Sequence, residues 1–302
     1  MRSLDSTPPA ILLGTSAFGS ERDAFPVYDA FWKAGHRGFD TAWIYGFSYG
    51  PGCCERVFGQ WARSRGVTTD AWVLAKGGHT PECYPGRLPG QFSESLDRMQ
   101  RSHVAMYQMH RDNPEVPVGE FVTALAEMQH SGHIASYGFS NWTLGRVREA
   151  VAYARENNLP GPSGVSNQFS LISMIRPVHP GSLSANDDAW RDWLARNQVF
   201  LYPWASQGRG AHVAADLQAS PLADCWFSEQ NRQRIERARK LAAGKGVSPT
   251  ALALSWVLAQ PFPVRPIIGP RRVAEVHDSL RALSCPLTSA ERDWLEDGNG
   301  AG

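Results

Sequence analysis

Asp40, Tyr45, Lys76 and His110 are the side chains of this sequence whose types and placement could do acid–base chemistry as a group. Each ends or closely follows a short apolar run: FDTAWIYG holds Asp40 and Tyr45, WVLAKGG holds Lys76, and MYQMHRDN holds His110. A phenol with an ordinary pKa of about 10 is a poor proton source near neutrality unless its surroundings tune it. An ammonium at Lys76 would favour the phenolate and lower that pKa, while a carboxylate at Asp40 would keep the ammonium charged and oriented. His110 would hydrogen-bond a carbonyl oxygen and set its angle. Such a group can protonate an oxygen, but it contains no source of electrons. No nucleophile elbow supplies another chemistry. His79 and Cys83 lie four residues apart and Cys53 adjoins Cys54, yet no CxxC pair or HExxH run completes a metal site, so no metal is expected. Singly, each of the four reads as a solvated strand end; only their combination points to catalysis.

The elements that must position them follow a repeated switch from a short buried run to a longer amphipathic stretch, the pattern of parallel strands joined by crossover helices. Strands are expected at 11–13, 37–40, 72–75, 104–109, 134–139, 164–167, 199–204 and 264–268. Helices are expected at 22–34, 54–65, 90–99, 118–129, 144–157, 187–196, 230–243, 249–259 and 272–283, with Gly35 and Gly66 just past the first two. Eight such units close into a single α/β domain over 1–302, a (β/α)8 TIM barrel, rather than an open doubly wound sheet. Its active site is expected at the C-terminal mouth of the strands. The long gaps at 43–53, 79–89, 170–186 and 206–229 are the functional loops, and they carry Tyr84, Trp226 and Phe227 as candidate pocket walls.

Composition narrows the class. Thirty basic against twenty-nine acidic residues leave a net charge of +1, so no global field attracts nucleic acid or an anionic membrane. No targeting segment or bilayer-length apolar run is evident, and five cysteines form an odd set that does not read as a secreted disulfide framework. Cytoplasmic residence with reduced thiols is the expectation. Oligomeric state is not legible.

Taken together, these residues resemble the aldo-keto reductase family. The likeness runs over nearly the whole chain: LLGTSAFG near the start, FDTAWIYG with GCCERVFG, the Lys76 and His110 segments, GFSN, NQFS and IIGPRRVAEVHDSL. It implies hydride transfer from NAD(P)H to a carbonyl, with Tyr45 giving the proton to the alcohol oxygen. It also implies cofactor contacts: Thr15 near the first strand, and Ser140, Asn141 and Gln168 at the nicotinamide carboxamide. Trp204 would stack on the nicotinamide, with Tyr202 the lesser alternative. Ser206, Gln207, Gly208 and Arg209 would line the pyrophosphate, where small residues let backbone approach and Arg209 adds charge. Gly269, Arg271, Arg272, Glu275 and Ser279 would hold the adenosine end at a helix N-terminus. The absence of GxGxxG fits a barrel rather than a Rossmann site.

Two arginines at 271 and 272 suggest NADPH over NADH, since guanidinium groups suit a 2′-phosphate. Glu275 where the family commonly has Gln or Arg, and Ser279 where Asn is usual, weaken that preference. The run Cys53–Cys54–Glu55, where the family commonly has Ser before the Glu at the start of the second helix, removes a candidate helix cap; a redox-sensing pair of Cys53 and Cys54 is the less favoured reading. Phe18, Trp43, His79, Trp142 and Trp226 are the expected substrate walls, forming an open aromatic mouth for a bulky or sugar-like carbonyl. Two rivals stand beside carbonyl reduction: a regulatory or redox-sensing barrel that binds nicotinamide without turnover, and a lyase or isomerase that uses no nicotinamide.

Overall fold

The computed structural model describes residues 7–46, 49–214 and 216–299. The chain forms two compact units, 1–166 and 167–302. In the first unit, β1 (Leu12–Gly14), β2 (Gly38–Asp40), β3 (Trp72–Gly77), β4 (Val104–Met109), β5 (Ile134–Ser140) and β6 (Gly164–Ser166) lie side by side in chain order, all parallel. Their near-continuous apolar runs are those of strands covered on both faces. Between them run α1 (Glu21–Lys33), α2 (Cys53–Ser64), α3 (Leu88–Met99), α4 (Val118–His130) and α5 (Leu144–Glu156).

The register is staggered. Asp40, the last residue of β2, faces Leu74, so Lys76 stands two residues further along β3. Under β2 the core is aromatic: Phe39 packs against Phe58 at 5.0 Å and Trp61 at 5.1 Å between ring centres, and Tyr28 of α1 meets all three edge-on. Side chains cap α1 and α5, where Ser20 accepts from the Asp23 N–H and Thr143 from the Arg146 N–H. Helix α2 has no side-chain cap. Its cap position is Gly52 in the left-handed region rather than Cys53, which is already the first helical residue.

The second unit contains α6 (Asp188–Asn197), β7 (Phe200–Leu201), α7 (Ala223–Trp226), α8 (Glu229–Lys245), α9 (Pro249–Leu258), β8 (Ile267–Ile268), α10 (Val273–Leu280) and α11 (Ser289–Asp297). Both strands are shorter than their apolar runs predict. Pro203, Pro263 and Pro266 accept but cannot donate, so the ladder survives only in part: Leu201 donates to the Pro263 carbonyl at 2.9 Å and Ile267 to that of Pro203 at 3.0 Å. Helix α11 lies outside the expected set. A reciprocal capping box starts it, Thr288 accepting from the Glu291 N–H and Glu291 from the Thr288 N–H.

Candidate active site

Three strand ends of the first unit bring the predicted catalytic side chains together. Lys76, buried near the end of β3, donates to the Asp40 carboxylate and, at 3.3 Å, to the Thr41 carbonyl. The turn after β2 is pinned to β3 by the Trp43 N–H on the Lys76 carbonyl at 2.8 Å, and closes on itself through the Tyr45 N–H on the Ala42 carbonyl at 2.9 Å. Asp40 accepts a hydrogen bond from the Tyr45 hydroxyl as well. The Lys76 ammonium lies 5.3 Å from the centre of the Tyr45 ring. His110 follows β4, with its ring edge-on to Tyr45 at 5.5 Å and to His79 at 5.1 Å.

Burial raises the Asp40 carboxyl and lowers the Lys76 ammonium, and each group's charge opposes the other's shift. The Tyr45 phenol is held well above its usual range, first by burial and then by the Asp40 charge, against the Arg111 guanidinium. This reverses the expected lowering by Lys76. The ammonium is paired with the carboxylate, and Asp40 is the larger charge acting on the phenol. Burial also drives His110 well below the ordinary imidazole range, helped by Lys76, His79 and Arg111, so the ring is neutral at pH 7. Its buried Nδ1 finds no hydrogen-bond partner among the described residues. Arg111 was not singled out in the sequence, yet its charge bears on Tyr45, His79 and His110 together. An Arg beside a strand-end His gives no sequence signal of its own.

The remaining predicted residues of this unit divide between polar anchors and packing. Thr15 donates through Oγ1 to Thr41 at 3.0 Å, and its N–H reaches the Asp40 carbonyl at 2.9 Å. The Ser140 hydroxyl donates to the Ser166 carbonyl at 2.7 Å and accepts from Asn141 Nδ2 at 2.9 Å. Asn141 has a φ of 58°, a left-handed conformation that costs energy outside glycine. The His79 Nδ1 lies 2.9 Å from the Thr80 carbonyl, which can only accept, so that nitrogen carries the proton. Trp43 turns its indole N–H to Glu94 at 2.8 Å. Phe18 and Trp142 are buried, Phe18 edge-on to Tyr28 at 5.3 Å and Trp142 stacked on Phe139 at 4.0 Å.

In the second unit, the Gln168 amide donates to Ser170 at 2.9 Å and accepts from Ser184 at 2.9 Å, leaving one N–H and one lone pair. Trp204 is half-buried, and its Nε1 is without a partner among the described residues, whereas Tyr202 is wholly buried. Directly after Trp204, positive φ angles recur at Ala205 (51°), Gly208 (60°), Arg209 (53°) and Gly210 (88°). Such conformations store strain of the kind found at ligand loops, and the loop closes on itself through the Gly208 N–H on the Ala205 carbonyl at 2.9 Å. The Ser206 hydroxyl donates to the Ile267 carbonyl at 2.7 Å, and Gln207 Nε2 donates to Ser279 at 3.0 Å, so this loop is tied to β8 and α10. No side chain adjoins the Cα of Gly269 where a Cβ would stand. Arg271 and Arg272 are exposed, and Glu275 accepts the Arg271 N–H at 2.7 Å. Trp226 is wholly buried in a cluster with Ile172, Ala211, Leu217 and Ile235. Among the described residues, no group of three His, Cys, Asp or Glu side chains could hold a metal, and no helix is long and apolar enough to cross a membrane.

Comparison with known proteins gives these observations a setting. The sequence profile of the aldo/keto reductase family matches residues 10–297. The chain is 29% identical to the uncharacterized oxidoreductase YrpG of Bacillus subtilis, covering 95% of this chain and 91% of that protein. It is 24% identical to the aldo-keto reductase yakc [NADP(+)] of Schizosaccharomyces pombe (83% and 76% covered). A putative voltage-gated potassium channel subunit beta of the same yeast is 23% identical. Among solved structures, the thermostable aldo-keto reductase Tm1743 superposes with a TM-score of 0.75 at 21% identity, over 96% of this chain and 94% of that one. The fold class is therefore the α/β (β/α)8 barrel.

Proposed function

Because the chain belongs to the aldo-keto reductase family of NAD(P)H-dependent oxidoreductases, we propose that it reduces an aldehyde or ketone to the alcohol, with Tyr45 as proton donor. The observation that carries this is the buried Asp40–Lys76–Tyr45 group with neutral His110 beside it. The raised pKa keeps a proton on the phenol at neutral pH, as a general acid requires. Neutral His110 donates an N–H to the substrate carbonyl and aligns it with the Tyr45 hydroxyl. As negative charge develops on that oxygen, the phenol proton moves to it, and the Lys76 ammonium stabilises the phenolate left behind.

A nicotinamide cofactor fits the residues present. Trp204 offers a half-buried aromatic ring with an Nε1 that has no partner among the described residues, and the left-handed conformations through Arg209 make a tight loop beside it that carries the Arg209 cation. When bound, that cofactor supplies the hydride. Ser140, Asn141 and Gln168 would hold its carboxamide, Trp204 its ring, Ser206 to Arg209 its pyrophosphate, and Arg271 with Arg272 a 2′-phosphate, which favours NADPH. Residues 1–302 act as one catalytic domain in this reading. Cytoplasmic residence belongs to it too, supported by five free cysteines.

The likeness to a potassium channel subunit keeps a second reading in view, a nicotinamide-binding sensor without turnover; the complete catalytic group favours the enzyme. Steady-state oxidation of NADPH and of NADH across a carbonyl panel separates the two. Tyr45→Phe should lose most turnover while tryptophan quenching by NADPH is kept. Undiminished turnover in that variant refutes the acid role.

A further inference from the structure

We infer that Arg98, near the end of α3, is a positioning residue that holds the Tyr45 turn through Trp43. The inference rests on the acid role proposed for Tyr45. The turn from Ala42 to Gly46 is tied to β3 by the Trp43 N–H on the Lys76 carbonyl. Its outer side is gripped by α3. Arg98 donates at 3.2 Å to the Trp43 carbonyl and at 3.2 Å to Glu55 Oε2, and at 2.7 Å to Glu94 Oε2, which in turn accepts the Trp43 indole N–H at 2.8 Å. The guanidinium also lies 5.8 Å from the centre of the Trp43 ring. Backbone, indole and ring of Trp43, two residues before Tyr45, thus converge on one side chain.

The surroundings are built for this grip. Glu55, in the first turn of α2, has a wholly buried side chain, and Arg98 is only 15% exposed. Gly52 has a φ of 66°, and a Cβ there would stand 2.4 Å from Arg98 Nε, so the helix start leaves the guanidinium its space. Stability alone does not explain the pair, because a buried ion pair is commonly no better than well-packed apolar side chains. It does fix geometry: a planar fork can satisfy three acceptors at set angles, which a flexible ammonium cannot. Gly46, at the end of the turn, packs on the other side against Cys53 and Cys54 of α2, so α3 holds the turn through Trp43 alone, by Arg98 and by the Glu94 that Arg98 orients, among the described residues.

The test is a double-mutant cycle between Arg98 and Tyr45. Arg98→Met is made together with Glu55→Gln, so that no buried carboxylate is stranded, and Trp43→Phe removes the indole donor alone as a milder second probe. With NADPH and a carbonyl that the wild type reduces, kcat should fall about tenfold or more in the Arg98→Met/Glu55→Gln protein with NADPH quenching unchanged, since a displaced catalytic group loses rate rather than cofactor. Arg98→Lys should recover little of it. In a Tyr45→Phe background the same changes should alter the residual rate less than about twofold, because the group they position is gone. An equal loss in both backgrounds, or an undiminished kcat with Tyr45 present, overturns the inference. Full activity in Tyr45→Phe itself overturns the acid role, and this inference with it.

Discussion

His212 offers the sharpest test of how burial shapes this protein. It is wholly buried in the short 3-10 turn Gly208–Val213, and neither ring nitrogen has a hydrogen-bond partner among the described residues. A Cβ on Gly208 would lie 3.3 Å from its Nε2, so the ring sits against the left-handed run read as the pyrophosphate loop. The charge beside it is Arg239, whose Nε donates to the His212 carbonyl at 3.2 Å. Burial, then Arg239, lowers its pKa from 6.5 to about 4. The unfolded chain therefore takes up a proton as pH falls through 6.5 while the native protein does not, and stability declines until pH 4, below which both states are protonated. The full difference of roughly 2.5 units corresponds to about 3 kcal/mol, of which about 2 kcal/mol is lost by pH 5. His212→Leu removes this linkage and, since no ring hydrogen bond is given up, should be close to neutral at pH 7. Urea unfolding of both proteins at pH 7, 6 and 5 isolates the effect from other histidines. Wild type should lose about 2 kcal/mol more than the variant between pH 7 and 5. Parallel declines would show that the buried imidazole is already satisfied or already charged, and the reasoning would fail.

Other expectations follow from the same geometry. Lys76→Met leaves the Asp40 carboxylate buried without its partner, which should cost about 3–5 kcal/mol in urea unfolding at pH 7 and abolish turnover. Burial already raises Asp40, and losing Lys76 raises it further, so the deficit should shrink as pH falls and the carboxylate takes a proton; adding Asp40→Asn should recover much of it at pH 7. A deficit independent of pH contradicts that account. Arg271→Gln with Arg272→Gln should weaken NADPH about tenfold by quenching titration and leave NADH nearly untouched, because a charge-assisted hydrogen bond to phosphate contributes about 1.5 kcal/mol. Equal weakening of both cofactors would remove the 2′-phosphate role.

What the sequence made legible depended on whether the governing interaction was local. Strand β4 spans the predicted residues, since a six-residue buried run needs only its own apolar character. Strand β7 ends early and β8 starts late because prolines remove donors inside runs that look apolar throughout. The start of α11 was readable in principle, since Thr288 precedes Glu291 by three residues, the spacing of a capping box. Asp40, Tyr45, Lys76 and His110 were visible because polar residues at the ends of apolar strands stand out. Their electrostatics were not. Whether Lys76 lowers the Tyr45 pKa turns on which groups are packed around the phenol, and here burial and the Asp40 charge outweigh an ammonium already paired with that carboxylate. The burial of Phe18, Trp142 and Trp226 was not legible either, as an aromatic side chain carries the same label whether its face meets solvent or a neighbouring ring.

The same distinction explains why the support of the Tyr45 turn left no trace in the sequence. Arg98 reaches Trp43 and Glu55 across 55 and 43 positions of chain, and the helix that bears it shows only an ordinary Glu94–Arg98 pair at i, i+4. Exposed, such a pair contributes a few tenths of a kcal/mol and holds nothing in place. Here one end of it is buried against a second carboxylate and a backbone carbonyl, and what would be surface decoration becomes a brace for the residue that carries the proton. Side chains that react are chosen from a small alphabet and announce themselves; those that hold them still are known only by what they touch.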